Sequence, residues 1–218
     1  MAMMPQPPNI LRDPSLPGDP FGPIPQILRA QPAPPNLQII ELSDGRLFNV
    51  ATETRFSIET IAHSLSLACR FGYQPRYFYS VAQHSILVAK LMQHFGSPKI
   101  GLEGLLHDAA EFVYGDLATP VKRACTDYDH AEKNLDERIR ARFGLSARKT
   151  DECGRADKIA MFIEAYDLLP SRGAALTDSL GVRTQAMELR EQFRIWTRPM
   201  GPELSEAWFL HTYQELVA

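Results

Sequence analysis

Long apolar runs are missing from this chain, and with them the means to cross a bilayer as a helix. The opening residues, MAMMPQPPNI, also lack the charged-then-apolar order of a secretory signal, so the expected compartment is the cytoplasm, with no membrane partner. Cysteine is scarce: Cys69, Cys125 and Cys153 are an odd number without a CxxC spacing, which excludes a disulfide framework and a thiolate zinc site. Reduced, packed thiols are the expectation. There is no excess of basic charge either. A formal net charge of −3 provides no field for a nucleic-acid polymer, while a small anionic ligand stays open.

What the chain does have is enough apolar sequence for a core. Its 218 residues are 44% hydrophobic and 22% charged, which suits one globular domain. Eleven of the 17 prolines fall in residues 1–36, so that segment forms neither helix nor ladder. It reads as a disordered tail or as an arm anchored by Ile24, Ile27 and Leu28, and it separates from a domain over 37–218. Within 37–50, LQIIELSDGRLFNV alternates apolar and polar residues on both sides of Ser43-Asp44-Gly45, which predicts a small β-hairpin with Gly45 at positive φ. The rest predicts helices near 57–70, 80–95, 99–113, 127–143, 151–169, 182–197 and 204–216, an all-α domain without internal repeats.

Three of these helices carry ionisable groups where apolar ones are expected. In SVAQHSILVAKL, Ser80 and Gln83 have the spacing of a capping box, and His84, Leu87, Val88 and Leu91 share one face, so the imidazole points inward. Alone, such a histidine reads more simply as a core residue satisfied by a carbonyl. In LLHDAAEFVYGDLATPVKRA, Leu102, Leu105, Leu106 and Ala109 make the inward stripe, with His107, Asp108 and Glu111 along its margin. A solvated polar face is the plain alternative. It is weakened by the absence of Lys or Arg beside these acids, which would lack partners unless they held a cation. In the third helix Asp157 stands at the edge of the stripe Ala156, Ile159, Ala160, Ile163, and by itself would pass for a surface acid. Together, two imidazoles and two carboxylates form a ligand set suited to one divalent metal with positions left for water and substrate.

The order His84, His107-Asp108, Asp157 resembles the HD-domain phosphohydrolase superfamily. The segments SVAQHS, LLHDAAE, GDLATPVK and ADK are similar to those of bacterial HD-domain 5′-deoxyribonucleotidases over roughly residues 50–170. The resemblance implies an HD-domain helical bundle in which His84, His107, Asp108 and Asp157 hold one divalent ion, whether Mn, Co, Zn, Fe or Mg. It implies Glu111 as general acid/base, Asp116 near the substrate sugar, and a homodimer. Phosphate contacts fall on Arg70, followed by Phe71 as in the family's Arg-aromatic pair, and on Arg76 and Lys122. The spacing from Arg70 to His84 differs from the family's by about a residue, so Arg76 shares or replaces the role. Phe71, Tyr73, Tyr77 and Tyr79 stack on a base or pack as core.

The implied reaction is hydrolysis of a nucleoside 5′-monophosphate, releasing phosphate by in-line attack of water on phosphorus without a covalent intermediate. A compact HD deoxynucleoside triphosphohydrolase has the same fold and ligands and is not separable by motif. Only His130 lies between the HD pair and Asp157, which disfavours a dinuclear phosphodiesterase, and Phe112 after Glu111 disfavours a guanosine tetraphosphate hydrolase. A nonenzymatic, metal-stabilised nucleotide-binding module is the reading from another class, and the retained Glu111 speaks against it.

Overall fold

Ser80 closes the capping box that its spacing predicts: its hydroxyl accepts from the Gln83 amide at 3.1 Å, and the Gln83 side chain accepts from the Ser80 amide at 3.4 Å. This cap starts α2, Val81–Phe95, the helix around which the others gather. The architecture comes from a computed structural model that describes residues 38–96 and 100–218. The proline-rich segment 1–36, with its tail and arm readings, lies outside the described residues, as do residues 97–99 at the predicted start of one helix.

The chain is mostly helical, with one small two-stranded sheet among the described residues. β1, Ile39–Glu41, pairs antiparallel with β2, Leu47–Asn49, in the register Ile40 opposite Phe48. Gly45 turns the hairpin at φ +79°, the left-handed conformation for which a glycine is needed. The helices are α1 (Ile58–Leu67), α2, α3 (Gly101–Leu106), α4 (Glu111–Tyr114), α5 (Thr119–Lys122), α6 (Thr126–Arg142), α7 (Asp151–Leu168), α8 (Arg183–Phe193) and α9 (Pro202–Val217). None of the described helices is long and apolar enough to cross a membrane.

Most side chains of α2 from Val81 to Met92 are buried, on every face, which marks a central helix rather than an amphipathic surface one. One side enters an apolar cluster with Phe48, Phe56, Ile61, Leu65, Leu105 and Phe209; the other enters a second cluster with Ile159, Phe162, Ile163 and Phe193. Gly104 lets α3 press against α2, since a Cβ there would lie 2.9 Å from Met92 Sδ and 3.0 Å from the Ala89 backbone. The site is assembled across these contacts.

Two expectations are corrected. The helix predicted at 99–113 is two pieces, because His107–Ala110 closes tighter i−3 bonds: Ala109 donates to Leu106 at 3.1 Å, Glu111 to Asp108 at 3.0 Å and Phe112 to Ala109 at 3.1 Å. In such a 3₁₀-like stretch positions three apart eclipse, which places Asp108 and Glu111 on one side. The thiols are free, but only Cys153 is buried; Cys69 is half-buried and Cys125 is exposed, since it precedes α6 rather than lying on its packed face.

Candidate metal centre

His84 is fully buried in the first turns of α2, and His107, at the end of α3, is 7% exposed. Each ring has a fixed tautomer because its Nδ1 meets an acceptor. The His107 Nδ1–H donates to the Gly104 carbonyl at 2.8 Å, and the His84 Nδ1–H donates to the Glu164 carboxylate at 2.7 Å. Both Nε2 atoms are then left with lone pairs, and they face each other 3.2 Å apart. Two lone pairs at that distance repel unless a cation or a proton stands with them.

The carboxylates supply the rest of the set. Asp157 Oδ1, from α7, is 3.3 Å from His84 Nε2 and 3.7 Å from His107 Nε2, and the donor atoms of these three residues all lie within 4.8 Å of one another. Asp108 joins from the side, its Oδ2 at 3.1 Å from His107 Nε2 and 3.5 Å from His84 Nε2. The four residues predicted as ligands are thus brought together from α2, from the turn between α3 and α4, and from α7. The side chains of Asp157 and Asp108 are 31% and 23% exposed while those of the histidines are closed, so the centre opens to solvent on the carboxylate side.

The prediction that these acids lack basic partners is corrected. The Arg70 guanidinium reaches Asp108 at 3.3 Å and lies 4.0 Å from Asp116 and 3.7 Å from Glu164. Lys149 Nζ lies 3.0 Å from Asp157 Oδ2. Sequence inspection of each helix alone misses both, because Arg70 comes from the loop before α2 and Lys149 from the loop before α7. Four carboxylates, those of Asp108, Asp116, Asp157 and Glu164, still face these two cations, leaving an excess of two negative charges. A divalent ion balances it, and the neutral imidazoles and carboxylate oxygens are donors of the right kind.

Protons can occupy the same place. Burial is the largest influence on His107 and opposes its protonation, yet the charge and hydrogen bond of Asp108 together with the hydrogen bond of Asp157 lift the imidazole to about 9. Burial and Arg70 work against a proton on His84, and Glu164 and Asp157 still raise it. Burial favours neutral carboxyls at Asp108 and Asp157, but the adjacent imidazoles, with Lys149, hold both far below the carboxylate range.

Glu111 is 6% exposed and departs from the margin position expected of it; its Oε2 is buried without a hydrogen-bond partner. Burial, then Asp108 and Asp116, push its carboxyl well above the ordinary value, which favours the neutral form over the ionised one. Asp116 accepts from the Phe71 amide at 2.9 Å and so caps a turn earlier in the chain. That turn, Phe71–Tyr73, runs through three successive left-handed residues at φ 55°, 58° and 68°. Left-handed backbone at Phe71 and Tyr73 costs about 1–2 kcal/mol per residue, and Asp116 helps to hold it.

The other predicted contacts are spread out. Phe71 is half-buried with its ring 5.6 Å from the Arg70 guanidinium; Arg76 is exposed and donates its amide to Leu168; Lys122 is paired with Glu132 at 2.7 Å. Of the aromatics, Tyr79 is wholly buried and Tyr73 is 80% exposed. Glu164 was not legible as a site residue from spacing with the ligands alone. The available signal was an acid seven residues after Asp157, on the face otherwise occupied by Ala156, Ala160 and Ile163.

No family model matches the chain. It is similar to the uncharacterized protein YfdR of Escherichia coli (strain K12), 38% identical over 111 residues that make up 51% of this chain and 60% of that protein. It is also similar to an uncharacterized protein of Rhodobacter capsulatus, 40% identical over 121 residues, 52% of this chain and 61% of that protein. The chain spans about three fifths of the length of these relatives.

Proposed function

We propose that this chain is an HD-type metal-dependent phosphohydrolase acting on (deoxy)nucleotides, and that it releases phosphate from nucleoside 5′-monophosphates. The observation that carries the reading is the pair of Nε2 atoms 3.2 Å apart, both tautomers fixed from behind, with Asp108 and Asp157 alongside. His84, His107, Asp108 and Asp157 would hold one divalent ion, which supplies Lewis acidity toward a phosphoryl oxygen and toward water. A catalytic group beside the ligands distinguishes an enzyme from a module that keeps metal for stability alone. Glu111 fits that role, since a buried carboxyl with an unused oxygen and a raised proton affinity can donate to the leaving 5′-oxygen and afterwards take a proton from water. Arg70 and Lys149 supply positive charge on either side of the ligands for a phosphate dianion.

The test is a screen of nucleoside mono-, di- and triphosphates, ribo and deoxy, with Mn, Co, Zn, Fe and Mg, following phosphate release. Release of phosphate from monophosphates, abolished by chelation and restored by one metal, is expected. Release of tripolyphosphate from deoxynucleoside triphosphates, with no monophosphate turnover, would assign the triphosphohydrolase reading instead. No turnover with any nucleotide, in a protein that binds metal, would leave the binding module.

A further inference from the structure

Glu164 is the anomaly of α7. The helix packs Ala156, Ile159, Ala160 and Ile163 into the core with no exposure, and Glu164 follows on the same face, also with none. Burying a carboxylate costs several kcal/mol unless its oxygens are partnered, so a glutamate placed there has to be held by something specific.

Its two oxygens are used unequally. Oε1 accepts twice, from His84 Nδ1–H at 2.7 Å and from the Tyr79 hydroxyl at 3.0 Å. Oε2 makes no hydrogen bond and lies 3.7 Å from Arg70 Nη2, whose Nε is likewise buried without a partner. Arg70 reaches forward from this position to Asp108 Oδ2 at 3.3 Å. One closed carboxylate therefore stands behind a metal-ligand candidate on one side and behind the cation that contacts a second ligand candidate on the other. It meets His84 at Nδ1, the ring nitrogen turned away from the Nε2 that faces His107 and Asp157, so it stands behind the ligand candidates and not among them.

We propose that Glu164 is the positioning residue of the metal centre, fixing His84 with Nε2 as its donor atom and drawing Arg70 back so that Asp108 is free to turn to the cation. The inference rests on the metal-centre reading given above. Without the Glu164 charge, either ring nitrogen of His84 can carry the proton, and Arg70 is left to the oxygens of Asp108 and Asp116. Both changes weaken metal binding without removing a ligand. Losses of this kind at a group behind a metal ligand are typically about 10- to 100-fold in affinity.

The experiment uses the full chain stripped of metal and titrated with Co²⁺ alone, read by calorimetry and by the visible absorption of the bound ion. Glu164→Gln is expected to lower Co²⁺ affinity by about 10- to 100-fold and to alter the absorption bands. Tyr79→Phe, which removes the other donor to Oε1 but leaves His84 and Arg70 in place, is expected to stay within about three-fold of wild type. A folded Glu164→Gln protein with wild-type affinity and spectrum overturns the proposal and leaves the metal centre intact. Wild type that binds no Co²⁺ overturns the metal centre and the proposal together. If Glu164→Gln does not fold, wild type loaded with Zn²⁺ decides by nitrogen-15 NMR of the histidines. A slowly exchanging His84 Nδ1 proton with Nε2 as donor supports the proposal, and ligation through Nδ1 or a rapidly exchanging Nδ1 proton refutes it.

Discussion

Raising the pH on metal-stripped protein should destabilise it, and His107 sets the amount. Its imidazole moves from an ordinary 6.5 in the unfolded chain to about 9 in the folded one, where burial is offset by Asp108 and Asp157 together. A difference of that size makes the protonated ring worth about 3 kcal/mol to the folded state. Because the folded value is the higher one, this contribution is complete below 6.5 and is lost as the pH climbs through about 9. Asp108 and Asp157, held low, titrate in acid and stay out of this window. His84 and Glu111, both held high, add to the same trend, so the comparison that isolates the His107 ring is wild type against His107→Gln. Urea unfolding in chelator at about pH 6 and about pH 9.5 should show wild type losing about 3 kcal/mol more than the variant. Parallel profiles for the two proteins would refute the argument that protons balance the carboxylates. Divalent metal should act in the opposite sense, its affinity rising over the same pH range as it displaces protons from the rings.

Three further outcomes follow from particular contacts. Glu111→Gln should lower kcat by about 10²-fold or more while metal content by elemental analysis stays at the wild-type level, since the group has the raised proton affinity of an acid/base and is not among the four ligand candidates. Arg70→Ala should raise KM for a monophosphate and also lower the thermal midpoint, because it leaves the buried Glu164 without its cation, a loss of about 3–5 kcal/mol; Arg70→Lys should recover part of both. Gly104→Ala should cost about 1–3 kcal/mol in urea unfolding, as the new Cβ meets Met92 and Ala89, and should weaken Co²⁺ binding because the Gly104 carbonyl holds His107.

The ligand candidates were legible as a group because they lie in strongly patterned segments. The capping box at Ser80 starts α2 at the predicted place, and the apolar spacing around it turns His84 inward. The break after Leu106 was not legible, since His107–Ala110 has helix-compatible residues throughout and differs only in closing tighter backbone bonds. The groups behind the ligands were illegible for another reason. Arg70, Lys149 and Glu164 meet Asp108, Asp157 and His84 across separations of 38, 8 and 80 residues, and no local period reports such encounters.

Composition and pattern alone therefore determined a mostly helical chain, a hairpin turned at Gly45, a capped central helix and four residues with the chemistry of metal ligands. Those are properties of short windows, set by backbone preference and by which side chains avoid water. Only the tertiary structure decided that the two Nε2 atoms face each other at 3.2 Å, that Glu111 is buried with its proton affinity raised, and that Arg70 and Lys149 offset part of the acidic charge. Distances between helices and the degree of burial set those facts, because charge and proton affinity depend on what other segments bring within a few ångströms.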